Sequence, residues 1–161
     1  MKIGLISDTH ISDASQPLPS EIFQVFRDAD LILHAGDLVI LPVLEELARL
    51  APTQAVRGNM DHEECDDLPL KRVIEAGGVR VGLTHGAGGP RGIADRALKQ
   101  FHGDGVGAVV FGHSHQALME ERDSVLIVNP GSPTDSRWAA YHSVAVLEIE
   151  KGKVQARIVR I

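Results

Sequence analysis

Cysteine is nearly absent from this chain of 161 residues: Cys65 stands alone. No internal disulfide can form, so a reducing, cytoplasmic compartment is the expected setting. Long apolar runs are missing as well. Nothing approaches the ~18 consecutive apolar residues of a membrane span, and Met1-Lys2 leads into a strand-like segment rather than a signal peptide. Aromatic residues make up 4% of the chain, too few for a platform that stacks single-stranded bases. Positive charge is outweighed, 16 Lys and Arg against 22 Asp and Glu, leaving a formal net charge of −6. A general nucleic-acid binder needs a basic surface, so no stable nucleic-acid binding is expected. Any phosphate group bound here needs local positive charge from elsewhere. The length suits one domain, 1–161, large enough to bury a core.

Apolar periodicity and turn residues predict strands over 2–7, 31–35, 53–57, 71–75, 80–84, 108–111, 117–121, 124–128, 143–149 and 154–161. Helices are predicted over 21–28, with Ser20 as N-cap, over 42–50, with Pro42 in the first turn, and over 93–101. Gly77-Gly78 and Lys151-Gly152 read as hairpin turns. Strand–helix alternation in the first half and hairpins in the second indicate a layered α/β protein with a mixed sheet or two packed sheets.

Five of the apolar runs finish in the same way. Asp8, Asp37, Asn59, His85 and His113 each lie within one or two residues of a strand end, and His10 and His115 follow two of them at a spacing of two. Strands running the same way put their carboxyl ends on one edge, where α/β proteins bind ligands. One Asp or Asn after a strand is an ordinary turn former. The joint pattern indicates a metal site instead. Two carboxylates, one amide and four imidazoles are more donors than one ion needs, and fit two ions ~3.5–4 Å apart. Two divalent ions bring four positive charges against two negative ones from Asp8 and Asp37. The surplus suits a hydroxide and a phosphoester, so an acidic protein can still hold phosphate. A shell of imidazole and carboxylate without thiolate favours transition metals, Mn²⁺ first, with Zn²⁺, Fe, Ni²⁺ or Co²⁺ as alternatives, over Mg²⁺ or Ca²⁺.

Asp8-x-His10, Gly36-Asp37, Gly58-Asn59, His85-Gly86 and Gly112-His113-x-His115 occur in the order seen in calcineurin-like metallophosphoesterases. The short length and the turn Asn129-Pro130-Gly131-Ser132 resemble the small phosphodiesterases of bacteria and archaea. The resemblance implies a four-layer α/β/β/α sandwich, two packed mixed sheets flanked by helices. It implies one metal on Asp8, His10 and His115, a second on Asn59, His85 and His113, and Asp37 bridging them. It further implies a phosphodiesterase acting on a small phosphoester, with in-line attack by metal-activated hydroxide. Asp37, Asn59 and Asp61 are then the residues expected to act in catalysis. A phosphomonoesterase or nuclease would use the same site. A protein-binding scaffold, like the relative in the retromer coat, would share the fold with an altered site. Homo-oligomerisation is left open. One position departs from the family. Many members carry a histidine after the Gly-Asn pair, near the leaving-group oxygen; here it is Met60, and a thioether cannot give a proton. Asp61 and His62 are the neighbours that could serve instead.

Other candidates read as structural. His34, inside a strand, is expected in the core or behind a ligand, and His62, His102 and His142 at the surface or in packing. Residues 86–92 lack the Lys-Ser/Thr of a phosphate loop and read as a flexible turn, with Arg91 a minor candidate for substrate contact. Residues 129–132 read as a turn near the site, 61–67 as a solvated acidic loop, and Cys65 as inert or modestly exposed.

Overall fold

A computed structural model of the chain describes every residue except Pro90 and Trp138. The first sheet holds β1 (Lys2–Ile6), β2 (Leu31–His34), β3 (Thr53–Ala55), β9 (Ser143–Glu150) and β10 (Lys153–Arg160), ordered β10-β9-β1-β2-β3. The second holds β4 (Lys71–Ala76), β5 (Val79–Thr84), β6 (Ala108–Val110), β7 (Leu118–Arg122) and β8 (Val125–Asn129), ordered β4-β5-β6-β8-β7. Both sheets are mixed. β1, β2 and β3 run parallel, as do β5, β6 and β8; the antiparallel pairs are β1–β9 and β9–β10 in the first sheet and β4–β5 and β7–β8 in the second.

Side chains alternate across a strand, and here both faces are covered. Ile3, Leu5, Leu31, Leu33, Ala145 and Leu147 meet Val81, Leu83, Ala108, Val110 and Val128 between the sheets. Ile6, Ile32, Val144 and Val146 face the other way, under α1 (Ser20–Phe26) and α2 (Pro42–Ala48). Val109 and Ile127 pack under α3 (Ile93–Lys99) and Phe101. Central strands buried on two faces read as unbroken apolar runs. This is the expected four-layer sandwich. Truncating a side chain such as Leu33, which is fully buried, costs ~2–5 kcal/mol.

The structure corrects three local expectations. Ser20 does not cap α1. The helix begins at Ser20, Pro19 takes the cap position, and no side chain caps it; Ser20 Oγ lies 3.3 Å from Glu21 Oε2. The third strand stops at Ala55, because the Arg57 N–H leaves the sheet for Pro69 O at 2.9 Å. The acidic loop contains a 3₁₀ turn, Glu63–Cys65, that buries Cys65 completely. Burial, with Asp61 and Glu64 nearby, pushes its thiol up to about 11, so the sulfur is inert and not exposed. Among the described residues no helix is long and apolar enough to cross a membrane.

Candidate metal centre

The carboxyl ends of the parallel strands of both sheets meet on one edge, and the five strand-end residues converge there together with His10 and His115. Around Asp8, the Nε2 atoms of His10 and His115 are 3.2 Å apart, and His115 Nε2 is 3.5 Å from Asp8 Oδ1. Around Asn59, its Oδ1 is 3.1 Å from His85 Nε2 and 2.9 Å from His113 Nδ1, with the two ring nitrogens 3.3 Å apart. Asp37 Oδ2 lies between the groups, 3.6 Å from His10 Nε2 and 3.3 Å from His85 Nε2. Asp8, His10 and His115 could hold one cation. Asp8 also comes within range of Asp37 and His85, so it stands nearer the middle of the site than a ligand to one end would.

Which ring nitrogens are free follows from the far side of each ring. A carbonyl can only accept a hydrogen bond, so the nitrogen facing it carries the proton and the other keeps its lone pair. His85 Nδ1 donates to Ala35 O at 2.8 Å, His115 Nδ1 to Asp135 O at 2.7 Å, and His113 Nε2 to Gly88 O at 3.0 Å. In the neutral tautomers that these carbonyls favour, each ring turns a bare nitrogen into the site, with Asn59 Oδ1, 2.9 Å from His113 Nδ1, the competing acceptor for the His113 proton. Metal-binding histidines are oriented in this way. His113 Nδ1, His85 Nε2 and Asn59 Oδ1 then bring three lone pairs within 3.3 Å, a repulsive set unless a cation or a proton sits among them. The donor set, imidazoles and carboxylates with one amide, fits a divalent metal ion.

The backbone is strained at the same residues. Asp8, His10, Asp37, His113 and His115 all have positive φ, between 46° and 70°. Such conformations are uncommon outside glycine and cost of order 1–3 kcal/mol each, and they cluster at functional sites. Two glycines let the carboxylates come close. A Cβ on Gly58 would lie 2.1 Å from Asp37 Oδ1, and one on Gly112 would lie 2.7 Å from Asp8 Oδ2.

Several side chains hold the ligand loops from behind. Asp61 accepts N–H bonds from Asp37 at 3.2 Å, Val39 at 2.7 Å and Gly58 at 2.6 Å, so both carboxylate oxygens are taken up in joining the loop after β2 to the loop after β3. His34 is fully buried and lies behind the ligands. Its Nδ1 accepts from Gly36 N–H at 3.2 Å, so its Nε2–H faces Thr9 Oγ1, also at 3.2 Å. Burial first, then the charge of His85, pushes His34 down to about 3, so it stays neutral. Residues 129–135 do more than turn. Asn129 Nδ2 donates to Gly112 O at 2.9 Å, Ser132 Oγ donates to Asp8 O at 2.7 Å, and Thr134 Oγ1 donates to Thr9 O at 2.5 Å. In the sequence Ser132 reads only as part of the turn over 129–132, and Thr134 and Asp135 carry no signal of these roles. Met60 is 48% exposed at the rim, and its N–H donates to Asp37 Oδ1 at 2.7 Å. His62 and His102 are exposed and His142 is half-buried, all outside the two clusters. The turn over 86–92 is described except for Pro90.

Without a cation, protons are the ions this pocket can hold. Burial raises the Asp37 carboxyl, but the hydrogen bond and charge of His85, the Met60 N–H and His10 outweigh it and hold it below the usual range. Burial lowers His85, yet the Asp37 hydrogen bond and the charges of Asp8 and Asp37 bring it above its usual value. Burial keeps Asp8 raised despite His85 and His115. His10 is lowered, by burial first, with Asp37 opposing.

The family profile described as the calcineurin-like phosphoesterase superfamily domain matches residues 1–152. The chain belongs to this superfamily. It is 44% identical over 162 residues to a probable metallophosphoesterase of Methanothermobacter thermautotrophicus, covering 99% of this chain and 92% of that protein. Among solved structures it resembles an archaeal phosphodiesterase at 27% identity, with a TM-score of 0.76, over 99% of this chain and 100% of that one. It resembles Vps29 from Entamoeba histolytica at 24% identity, with a TM-score of 0.77, over 100% and 99% of the two chains; this likeness is one of fold. As a calcineurin-like phosphoesterase the chain falls in a family that binds divalent metals, and the donor groups Asp8–His10–His115 and Asp8–Asp37–His85, which share Asp8, could hold such an ion.

Proposed function

We propose that the chain is a phosphodiesterase that works with two divalent transition-metal ions, one on Asp8, His10 and His115, the other on Asn59, His85 and His113, with Asp37 between them. The observation that carries this reading is the set of ring nitrogens gathered about the Asp8 and Asp37 carboxylates, three of the four imidazoles being held from behind by backbone carbonyls. Two such ions supply Lewis-acid charge for the phosphoryl oxygens and acidify a water to near neutrality. The protein's own part is to hold the donors. Asp8 and Asp37 bring the negative charge that keeps cations in place, and the three carbonyls fix the imidazoles so that no reorganisation is needed when substrate arrives.

The departing oxygen gets little help. Met60 has no proton to give. The Asp61 oxygens are engaged by three backbone N–H groups, and we read Asp61 as a brace for the Asp37 and Asn59 loops rather than as the acid. General acid catalysis is typically worth ~10²–10⁴-fold. Aryl diesters, whose oxide leaves unaided, should therefore react far faster than alkyl diesters. Met60→His should narrow that gap by speeding the alkyl substrates most. A wild-type rate independent of leaving-group pKa, with chemistry rate-limiting, would show that another residue protonates the leaving group.

The deciding experiment strips the protein of metal and adds back Mn²⁺, Zn²⁺, Fe²⁺, Co²⁺ or Ni²⁺ one at a time. Each form is assayed on phosphomonoesters, phosphodiesters and cyclic nucleotides. Diester turnover restored by metal is the expected result. Preference for monoesters would move the reading to a phosphomonoesterase. No turnover with any metal would favour a protein-binding scaffold, a role that needs no complete donor set.

A further inference from the structure

The glycine-rich turn between β5 and α3 lies outside the strands and helices, and residues 87–89 are exposed. Three of its carbonyls are nevertheless gathered by one side chain. Arg96, in α3, donates from Nε to Ala87 O at 2.8 Å, from Nη1 to Arg91 O at 2.8 Å, and from Nη2 to Gly89 O. A guanidinium is a rigid planar fork, so carbonyls bound to it are fixed relative to one another. Gly88 sits between two of these anchor points, and its own carbonyl accepts from His113 Nε2 at 3.0 Å. Asp95, the carboxylate next to Arg96 in sequence, is engaged by Arg122 of β7, so it does not draw the Arg96 fork away from the turn.

We infer that Arg96 is a positioning residue for the Asn59–His85–His113 cluster. By fixing the turn it sets the Gly88 carbonyl, 3.0 Å from His113 Nε2, which competes with Asn59 Oδ1, 2.9 Å from Nδ1, for the ring proton; held on Nε2, that proton leaves Nδ1 bare toward Asn59 and His85. The turn is then the outer support of one metal position only. The other position takes its carbonyl from Asp135, on a different loop. The inference rests on the two-cluster reading above and adds a residue that touches neither ligand nor substrate.

Two measurements on the full chain test it. In metal-free protein at alkaline pH, ¹⁵N spectra of the histidine rings read the tautomer of His113. Wild type should show the Nε2–H form alone, and Arg96→Met a mixture of both forms. In the second, Mn²⁺ is titrated calorimetrically into stripped protein. Wild type should bind in two steps, and Arg96→Met should weaken one step by ~10–100-fold, the usual cost of losing a partner behind a ligand, and leave the other in place. Arg96→Lys keeps the charge and loses the fork, so it should behave like Arg96→Met; it also serves if the methionine variant does not fold. An unchanged His113 tautomer in both variants overturns the inference. So does equal weakening of both steps, or a lysine variant that matches wild type. A wild type that binds a single ion would end the two-metal reading, while the tautomer measurement would still decide the role of Arg96.

Discussion

His113 and His115 lie two residues apart on one loop, and each is turned by a backbone carbonyl, yet the two carbonyls stand on different supports. The acceptor for His115 belongs to Asp135. Its N–H is held by Ser132 Oγ at 2.9 Å, and the same hydroxyl donates to Asp8 O. His115 is 3% exposed, and the loop is also tied to the backbone of Asp8, a ligand of the same cluster, and of its neighbour Thr9. The acceptor for His113 belongs to Gly88, in an exposed turn that one arginine organises. Asn59, in the same cluster as His113, is exposed as well. One half of the site is therefore built into the sandwich, while the other is anchored there only through His85, 3% exposed on the Ala35 carbonyl, and leans on the rim through Asn59 and His113. Buried, multiply bonded groups open only with the fold, whereas exposed loops open locally at little cost. On the proposed two-ion reading, the two positions should differ in affinity for that reason alone, although their donors are similar.

The largest effect should come from the residue that belongs to both halves. Asp37→Asn removes a charge that faces His10 on one side and His85 on the other. Loss of a partner behind a ligand costs ~10–100-fold in metal affinity or activity, so loss of the shared carboxylate should cost more than ~10²-fold in turnover and lower the content of both metals. Asn59→Ala removes a neutral donor from one half and should cost less. Equal losses of metal and turnover in the two variants would remove Asp37 from the middle of the site.

A chelator should separate the halves directly. Removal of metal from the loaded protein should proceed in two phases, with affinities differing by about tenfold or more, and the weaker phase should belong to the rim. Asn59→Ala should abolish the weaker phase and His10→Ala the tighter one. The reverse assignment would mean that burial does not decide which ion is held better.

Acid should act on the built-in half through His34, which bonds Thr9 and Gly36 beside Asp8 and Asp37. Its folded value is about 3 against 6.5 for the ordinary group. Between those values the unfolded chain binds a proton that the folded chain refuses. This contribution to stability is therefore complete above pH ~6.5 and is lost as pH falls toward 3, at roughly 1.4 kcal/mol per unit. Metal-free His34→Gln should show a shallower fall across that window in urea unfolding. Identical slopes in wild type and variant would mean that His34 is not buried as a neutral ring.

The sequence made the donors legible and left their supports hidden, for a physical reason. A ligand must be a carboxylate, an amide or an imidazole, and each follows a strand, so Asp8, Asp37, Asn59, His85 and His113 announce themselves by type and place. The groups that turn the imidazoles are the carbonyls of Ala35, Gly88 and Asp135, and every residue has a carbonyl. Asp61 carries its meaning in bonds to the N–H groups of Asp37, Val39 and Gly58, which no local pattern reveals. The sandwich was legible because its central strands are apolar on both faces. The cap of α1 was not, because Pro19 competes with Ser20 for the cap position.

The smallest effect expected is on stability, from Ser132→Ala. The Ser132 hydroxyl is 1% exposed. It donates to Asp8 O at 2.7 Å and accepts from the N–H groups of Asp135 at 2.9 Å and Thr134 at 3.3 Å. Alanine leaves a buried carbonyl and two N–H groups without this partner, and an unsatisfied buried group costs ~1–3 kcal/mol. The cavity left by one oxygen atom adds little. The variant should therefore lose stability in that range, read as a lower urea midpoint with an unchanged slope. The loss should also reach His115, because the Asp135 carbonyl that orients it is no longer fixed, and only the tighter metal phase should weaken. The rim half, with its own turn and its own arginine, should be untouched. A cost within ±0.5 kcal/mol, the range of an ordinary surface change, together with an unaltered tight phase, would mean that the 129–135 loop is held by other bonds. The contrast between the halves would then rest on burial and not on Ser132.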